Sequence, residues 1–279
     1  MPRARNGSVE IEWQSFGDDR PETVLLVNGL GSQMTRWPEA FCAKLVARGY
    51  RAIRFDNRDT GLSTWPTEKY TLADMADDGI AVLDAAGVRK AHIAGVSMGG
   101  MIVQRMALDH PDRVLSMTSI MSTTGARDAF KSTPEAAAAL NEPPPDPKTD
   151  FEAYVADRVK NMRTIGSPAW PWTDAEARER VIAEYRRAFN PKGVARQRAA
   201  VDAAGDRTAA LGKLTIPVVV LHGADDPLLM KAGGEATAAA IPGAELRIVP
   251  GMGHDLPPGL YDTFVDAIAA AAARAKTNA

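Results

Sequence analysis

The stretch HIAGVSMGG, residues 92–100, lies where a short apolar run stops and a helical spacing begins. At its centre, Gly95-Val96-Ser97-Met98-Gly99 fits the pattern G-x-S-x-G. A sharp strand-to-helix turn can hold such a serine in a strained backbone conformation, with its hydroxyl pointing out at the mouth of a sheet. Glycines two before and two after remove side chains that would collide, and Gly100 leaves room for close helix–sheet packing. The helix that follows offers its N-terminal dipole and free N–H groups to an anion. The plainer alternative is a serine that caps a helix after a buried strand. The rest of the chain decides between them.

Working outward, strand-like and helix-like segments alternate. VEIEW at 9–13 alternates apolar and polar residues, as a half-exposed strand does. ETVLLVNGLG (22–31) is a continuous apolar run ending in glycines, the form taken by a strand covered on both faces. Helical spacing follows in WPEAFCAKLVARGY (37–50), then a strand in YRAIRF (50–55) leading into a polar loop. TLADMADDGIAVLDAAGV (71–88) is helical, KAHIAGVS (90–97) a buried strand, MGGMIVQRMALDHP (98–111) a helix, and VLSMTSIMST (114–123) another strand. The rhythm resumes at IPVVVLHGADD (216–226) and ends on a helix over LYDTFVDAIAAAAARA (260–275). This order predicts an α/β fold built on a doubly wound, mostly parallel sheet. Between residues 123 and 213 no strand-like run appears, and Thr173 with Glu176 marks a capping box. We therefore expect a core formed by 1–122 and 214–279, with 123–213 inserted as a helical cap.

Composition narrows the function. The chain has 279 residues, 45% hydrophobic, with a formal net charge of −2 and its basic residues scattered, which gives nucleic acid or an anionic membrane nothing to bind. No run approaches the ~18 apolar residues of a membrane span. The early arginines have no apolar segment behind them, so they do not read as a secretory signal. The single cysteine, Cys42, sits in an amphipathic helical stretch and reads as a packed thiol. The expectation is a cytoplasmic protein with no membrane or nucleic-acid partner, no metal and no cofactor.

A serine hydroxyl is too weak an acid to ionise near neutral pH, so a nucleophile needs a base. Four histidines are available. His92 begins a strand at the far end from Ser97, and His110 lies at a helix end. His222 closes VVVLHG, where it suits holding the neighbouring loop. His254 lies in VPGMGHDLP, a glycine-rich loop after the last strand, on the edge where ligands bind in such sheets. It is the candidate base. The orienting carboxylate falls in LHGADDPLL, with Asp226 preferred over its neighbour Asp225. The oxyanion donors are the backbone N–H of Met98, directly after the serine, and that of Leu30 in NGLGS.

Ser97, Asp226 and His254 stand in the chain order of the α/β hydrolases. With these motifs in place the sequence resembles the α/β-hydrolase fold family along nearly its whole length. RFDNRDTGLS (54–63) is similar to the family's D-x-R-G-x-G-x-S segment, departing from it by Thr60 in the middle position and an additional Asp59. Asn28 stands where many relatives have histidine. NGLG…RWP together with DNRDTGLST is most similar to the aclacinomycin methylesterase-like group. Haloalkane dehalogenases and epoxide hydrolases of the family carry aspartate at the elbow, so Ser97 implies acyl transfer. The resemblance implies a carboxylesterase-type serine hydrolase acting on small to medium apolar esters, a small-molecule substrate. A cofactor-free perhydrolase or haloperoxidase, a lactonase, and a ligand-binding receptor on the same scaffold remain open. Met34 and Met252 are candidate pocket residues beside Met98 and Met101. Trp170 and Trp172, in the insertion, are candidates for closing over a substrate.

Overall fold

The computed structural model describes residues 2–129 and 131–277. Six parallel strands form the centre: β3 (Glu22–Val27), β4 (Tyr50–Phe55), β5 (Ala91–Val96), β6 (Val114–Ile120), β7 (Val218–Gly223) and β8 (Glu245–Val249). An antiparallel hairpin, β1 (Arg3–Asn6) and β2 (Val9–Phe16), extends one edge, giving the order β1-β2-β4-β3-β5-β6-β7-β8. The strand β1 has no counterpart in the sequence reading. Only Ala4 of Arg3–Asn6 packs into the core, so the segment carries almost no apolar alternation.

The inner strands are apolar throughout because both of their faces are covered. In β3, Leu25 and Val27 enter one core cluster and Val24 and Leu26 the other, as the two-residue period requires. The first cluster packs under α2 (Leu72–Ala85) and α3 (Met98–Asp109), with α9 (Ala232–Ala240) at its margin. The second packs under α1 (Glu39–Ala47) and α10 (Tyr261–Thr277). Cys42 lies in this second cluster with no exposure, and burial pushes its thiol up to about 12, which makes it an inert packing residue. No helix among the described residues is long and apolar enough to cross a membrane.

The strand order reverses between β3 and β5, so this is the switch point at which a doubly wound sheet opens a crevice. The register pairs Val27 with Gly95, which brings the loops leaving both strands to the same level. Between β6 and β7 the chain is helical, as the sequence predicts: α4 (Pro134–Asn141), α5 (Phe151–Ile165), α6 (Asp174–Arg187), α7 (Pro191–Ala203) and the short α8 (Thr208–Leu211). Helix α6 starts at the capping box, with Thr173 accepting from the Glu176 amide and the Glu176 carboxylate accepting from the Thr173 amide. Leu211 of α8 joins the first core cluster.

The polar loop after β4 is buried, against the usual expectation for such a sequence. Its partners come from α6 and α7. Arg187 forks onto Asp56 at 2.7 and 3.1 Å, Arg196 onto Asp59 at 2.6 and 2.8 Å, and Asn190 donates to Asp59 at 3.1 Å. Asp59 also accepts from the Tyr70 hydroxyl at 2.8 Å and has φ +72°. The spacing Asp56–Arg58–Gly61–Ser63 is that of the family segment, so Asp59 is not an extra residue. It occupies the glycine position and keeps that residue's left-handed backbone, a conformation that aspartate tolerates better than most residues.

His92 is buried on β5 against Tyr50, bonded through Nδ1 to the Ser116 hydroxyl at 2.8 Å. Burial pulls its pKa down from 6.5 to about 4. The unfolded chain therefore takes up the proton first. The contribution of neutral His92 is complete above about pH 6.5 and is lost as the pH falls toward 4. Urea unfolding of wild type and His92→Leu should show their stability difference moving by about 3 kcal/mol in favour of the variant between about pH 7 and pH 4. A difference independent of pH would contradict this.

Candidate active site

Ser97 joins β5 to α3 with φ 56° and ψ −121°, outside the regions an L-residue ordinarily occupies. Such a conformation costs on the order of 1–3 kcal/mol and persists only where the surroundings impose it. The surroundings are visible. The Ser97 amide donates to the Ile120 carbonyl at 2.9 Å, and its own carbonyl accepts from Gly100 N at 2.9 Å and from the Ser122 hydroxyl at 2.8 Å. A Cβ at Gly95 would lie 2.1 Å from the Gly99 carbonyl oxygen, and one at Gly99 would lie 2.3 Å from that of Val27. The turn can therefore close only with glycine at both positions. Ser97 is not an ordinary helix cap, since its side chain makes no capping bond.

The hydroxyl instead meets His254, whose Nε2 is 2.9 Å from Ser97 Oγ. His254 Nδ1 is 2.7 Å from Asp226 Oδ2. With Nδ1–H donating to the carboxylate, Nε2 is left to accept from the serine. Asp226 Oδ1 accepts from the amides of Leu228 and Leu229, both at 2.9 Å. Burial alone would raise the Asp226 pKa. The facing His254, by its charge and its hydrogen bond, with His222 Nε2 close by at 3.4 Å, outweighs that and holds the carboxyl well below the usual range. His222 Nε2 donates to the Leu229 carbonyl at 2.6 Å and so holds this loop, as its place in the sequence suggests. Asp225 faces elsewhere and accepts from Gly251 N at 2.6 Å, which leaves Asp226 as the carboxylate on the imidazole.

Leu30 lies in the loop after β3, against the serine: a Cβ at Gly29 would be 3.2 Å from Ser97 Cβ. Asn28 anchors the base of this loop, donating to the Phe55 carbonyl at 3.1 Å and accepting through its own carbonyl from Asn57 at 3.0 Å. The Leu30 and Met98 amides donate to no protein group among the described residues. Both are backbone donors beside Ser97.

A cavity of about 370 Å³ opens over the serine, between the sheet's carboxyl edge and α4–α7. Met98, Met101 and Trp172 line it, while Met34, Trp170 and Met252 lie off it. Met34 is buried, with its amide donating to Asp56 at 2.7 Å. Met252 belongs to the core cluster on the α1/α10 face. Trp170 packs against that cluster and over Gly259. Proximity in sequence to the site loops suggests Met34 and Met252, and membership of the insertion suggests Trp170, but all three side chains pack into the protein instead.

Two residues that the sequence reading passed over hold the histidine loop. Ser167, just past α5, donates through both its amide and its hydroxyl to Asp255, and its hydroxyl accepts from Gly253 N at 2.9 Å. Asp255 also accepts from Trp172 Nε1 at 2.9 Å, and the His254 amide donates to the Ile165 carbonyl at 2.7 Å. Burial raises the Asp255 pKa against the opposing pull of the Ser167 and Trp172 hydrogen bonds. Sequence gives no signal for these contacts, because their partners are 88 and 83 residues apart.

Residues 22–257 match the family model described as the alpha/beta hydrolase fold. The chain belongs to the alpha/beta hydrolase family. It is a hydrolase of that type. It is 31% identical to the rhodomycin D methylesterase DnrP of Streptomyces peucetius, over 95% of both chains. It is also 31% identical to a putative carbamate hydrolase, RutD, of Variovorax paradoxus, over 88% of this chain and 90% of that one. A solved meta-cleavage product hydrolase from Pseudomonas fluorescens IP01 shares the fold at a TM-score of 0.82, with 20% identity over 99% and 98% of the two chains.

The hydrolase's elbow yields a stability prediction. Gly99→Ala should lower its stability by roughly 2–4 kcal/mol, read by chemical denaturation, because the new methyl meets backbone that no rotamer change can move. A loss below about 0.5 kcal/mol would show that the turn has more room than these contacts imply.

Proposed function

We propose that this hydrolase is a serine carboxylic-ester hydrolase in which Ser97 is the nucleophile, His254 the general base and acid, and Asp226 the orienting acid. One observation carries the reading: a strained serine whose hydroxyl lies 2.9 Å from an imidazole that a buried carboxylate holds at 2.7 Å. His254 Nε2 takes the Ser97 proton as the oxygen attacks the ester carbonyl. The carbonyl electron pair moves to oxygen, and the amides of Leu30 and Met98 stabilise that charge. The tetrahedral intermediate collapses to an acyl-enzyme as His254 gives its proton to the leaving alcohol. A water molecule, deprotonated in turn by His254, releases the acid and restores Ser97. Asp226 stays ionised throughout and stabilises the imidazolium.

The cavity supports small to medium esters, with the methionines Met98 and Met101 lining an adaptable apolar wall beside the serine. The methylesterase relatives make methyl esters the first substrates to try. In this reading, residues 1–122 and 214–279 form the catalytic core and 123–213 the cap that shapes specificity.

Ser97→Ala should lower ester turnover by on the order of 10⁴-fold or more while leaving the fold intact, and Asp226→Asn by on the order of 10³–10⁴-fold. Retention of turnover by Ser97→Ala would end the proposal. The Asp226 carboxyl is held well below the usual carboxylate range by His254 and stays ionised near neutral pH. Wild-type kcat/KM should therefore lose nothing to protonation of Asp226 between about pH 5 and pH 8. An acid limb in that range that Asp226→Asn removes, with the plateau rate unchanged, would contradict the assignment.

A further inference from the structure

Helix α7 carries a side chain that the mechanism above does not use. Gln197 is fully buried. Its Oε1 accepts from the Gly31 amide at 2.7 Å, and its Nε2 donates to the Arg58 carbonyl at 2.8 Å. One amide group thus ties the inserted helix to both the loop after β3 and the loop after β4. The first of these contains Leu30.

Leu30 and Gly31 are the middle residues of a turn closed by Ser32 N–H donating to the Gly29 carbonyl at 3.2 Å. Gly31 has φ +65°, and a Cβ there would lie 3.0 Å from Val194, also on α7. The inner side of the turn faces Ser97 and its outer side rests on the helix. The central peptide of such a turn flips easily when one of its residues is glycine. A flip exchanges the directions of the Leu30 carbonyl and the Gly31 N–H, and so changes what stands beside the Leu30 amide. Gln197 Oε1 accommodates only the orientation with Gly31 N–H turned outward. The helix in turn is fixed, since Asn190 and Arg196 bind Asp59, and Val201 from the same helix lines the cavity.

We propose that Gln197 is a positioning residue for the oxyanion loop: it locks the Leu30–Gly31 peptide, and through it the seating of α7 sets how well the hole is formed. This rests on the reading of Leu30 and Met98 as oxyanion donors. Backbone donors accelerate a reaction only when aimed in advance at the developing charge, and small misplacements are costly.

The test uses Gln197→Met, which keeps length and loses the acceptor, and Gln197→Glu, which keeps an acceptor for Gly31 N–H. Each is measured for kcat and KM on a methyl ester. Each is also measured for inhibition by an aryl trifluoromethyl ketone and by the matched methyl ketone. The fluorinated ketone takes up the Ser97 oxygen to give a tetrahedral oxyanion, whereas the methyl ketone reports ground-state binding. Gln197→Met should lower kcat roughly 10- to 100-fold with KM within about threefold. Its affinity for the trifluoromethyl ketone should fall by the same factor and that for the methyl ketone should not. Gln197→Glu should recover most of kcat. If Gln197→Met does not fold, Gln197→Leu, which also leaves the Gly31 amide without its acceptor, takes its place: a kcat roughly 10- to 100-fold below wild type with methyl-ketone binding unchanged supports the role, and a wild-type kcat overturns it. Wild-type rates in Gln197→Met, or parallel loss of both inhibitors, overturn it and make Gln197 a cavity-shaping residue. A wild-type enzyme that binds the fluorinated ketone no better than the methyl ketone instead sinks the oxyanion reading itself.

Discussion

The close approach of the β5–α3 turn to the carboxyl end of β3 is the constraint on which the site depends. Gly99 leaves no room for a methyl against the Val27 carbonyl, nor Gly95 against that of Gly99. This contact sets the serine's unusual backbone and lifts its side chain out of the sheet. It also brings the Leu30 loop alongside, because β3 and β5 are neighbours whose registers end together at Val27 and Gly95. A conformation costing a few kcal/mol is held by the packing of two strand ends and a helix, which is how a fold stores strain at a functional position.

The other half of the site is held from the insertion. The histidine loop hangs from the end of α5 through Ile165 and from Ser167, whose partner Asp255 also binds Trp172. The loop after β4 binds α6 and α7 through Asp56 and Asp59. Buried ion pairs of this kind add little net stability, since desolvation opposes their attraction, but breaking one partner is costly. They fix where the helices sit. The insertion is thus a source of position for both the imidazole and the loop beside Ser97, as well as a wall of the cavity.

Much of this was legible in the sequence, and the reasons are local. Parallel strands buried on both faces show as continuous apolar runs, and the elbow shows as glycines at fixed offsets around Ser97. The loops carrying Asp226 and His254 follow strands, so their edge of the sheet was readable. What stayed hidden depends on partners far away in the chain. The DNRD segment reads as an exposed loop until Arg187, Asn190 and Arg196 are seen to cover it. Asp255 and Ser167 have no local pattern at all. Met34, Trp170 and Met252 show the opposite failure: neither adjacency to a site loop nor a place in the insertion fixes which way a side chain turns. The strand β1 escaped because a single alanine makes its core contact.

The central claim is that catalysis passes through a covalent bond to Ser97, made where the strained turn presents its hydroxyl. Rapid mixing with p-nitrophenyl acetate, quenching in acid and peptide mass analysis tests it directly. The account predicts a burst of nitrophenolate and one added acetyl group on the peptide containing Ser97, absent from Ser97→Ala. Full turnover with no acetylated Ser97 at any quench time, or acetyl found on another residue at the turnover rate, would contradict it.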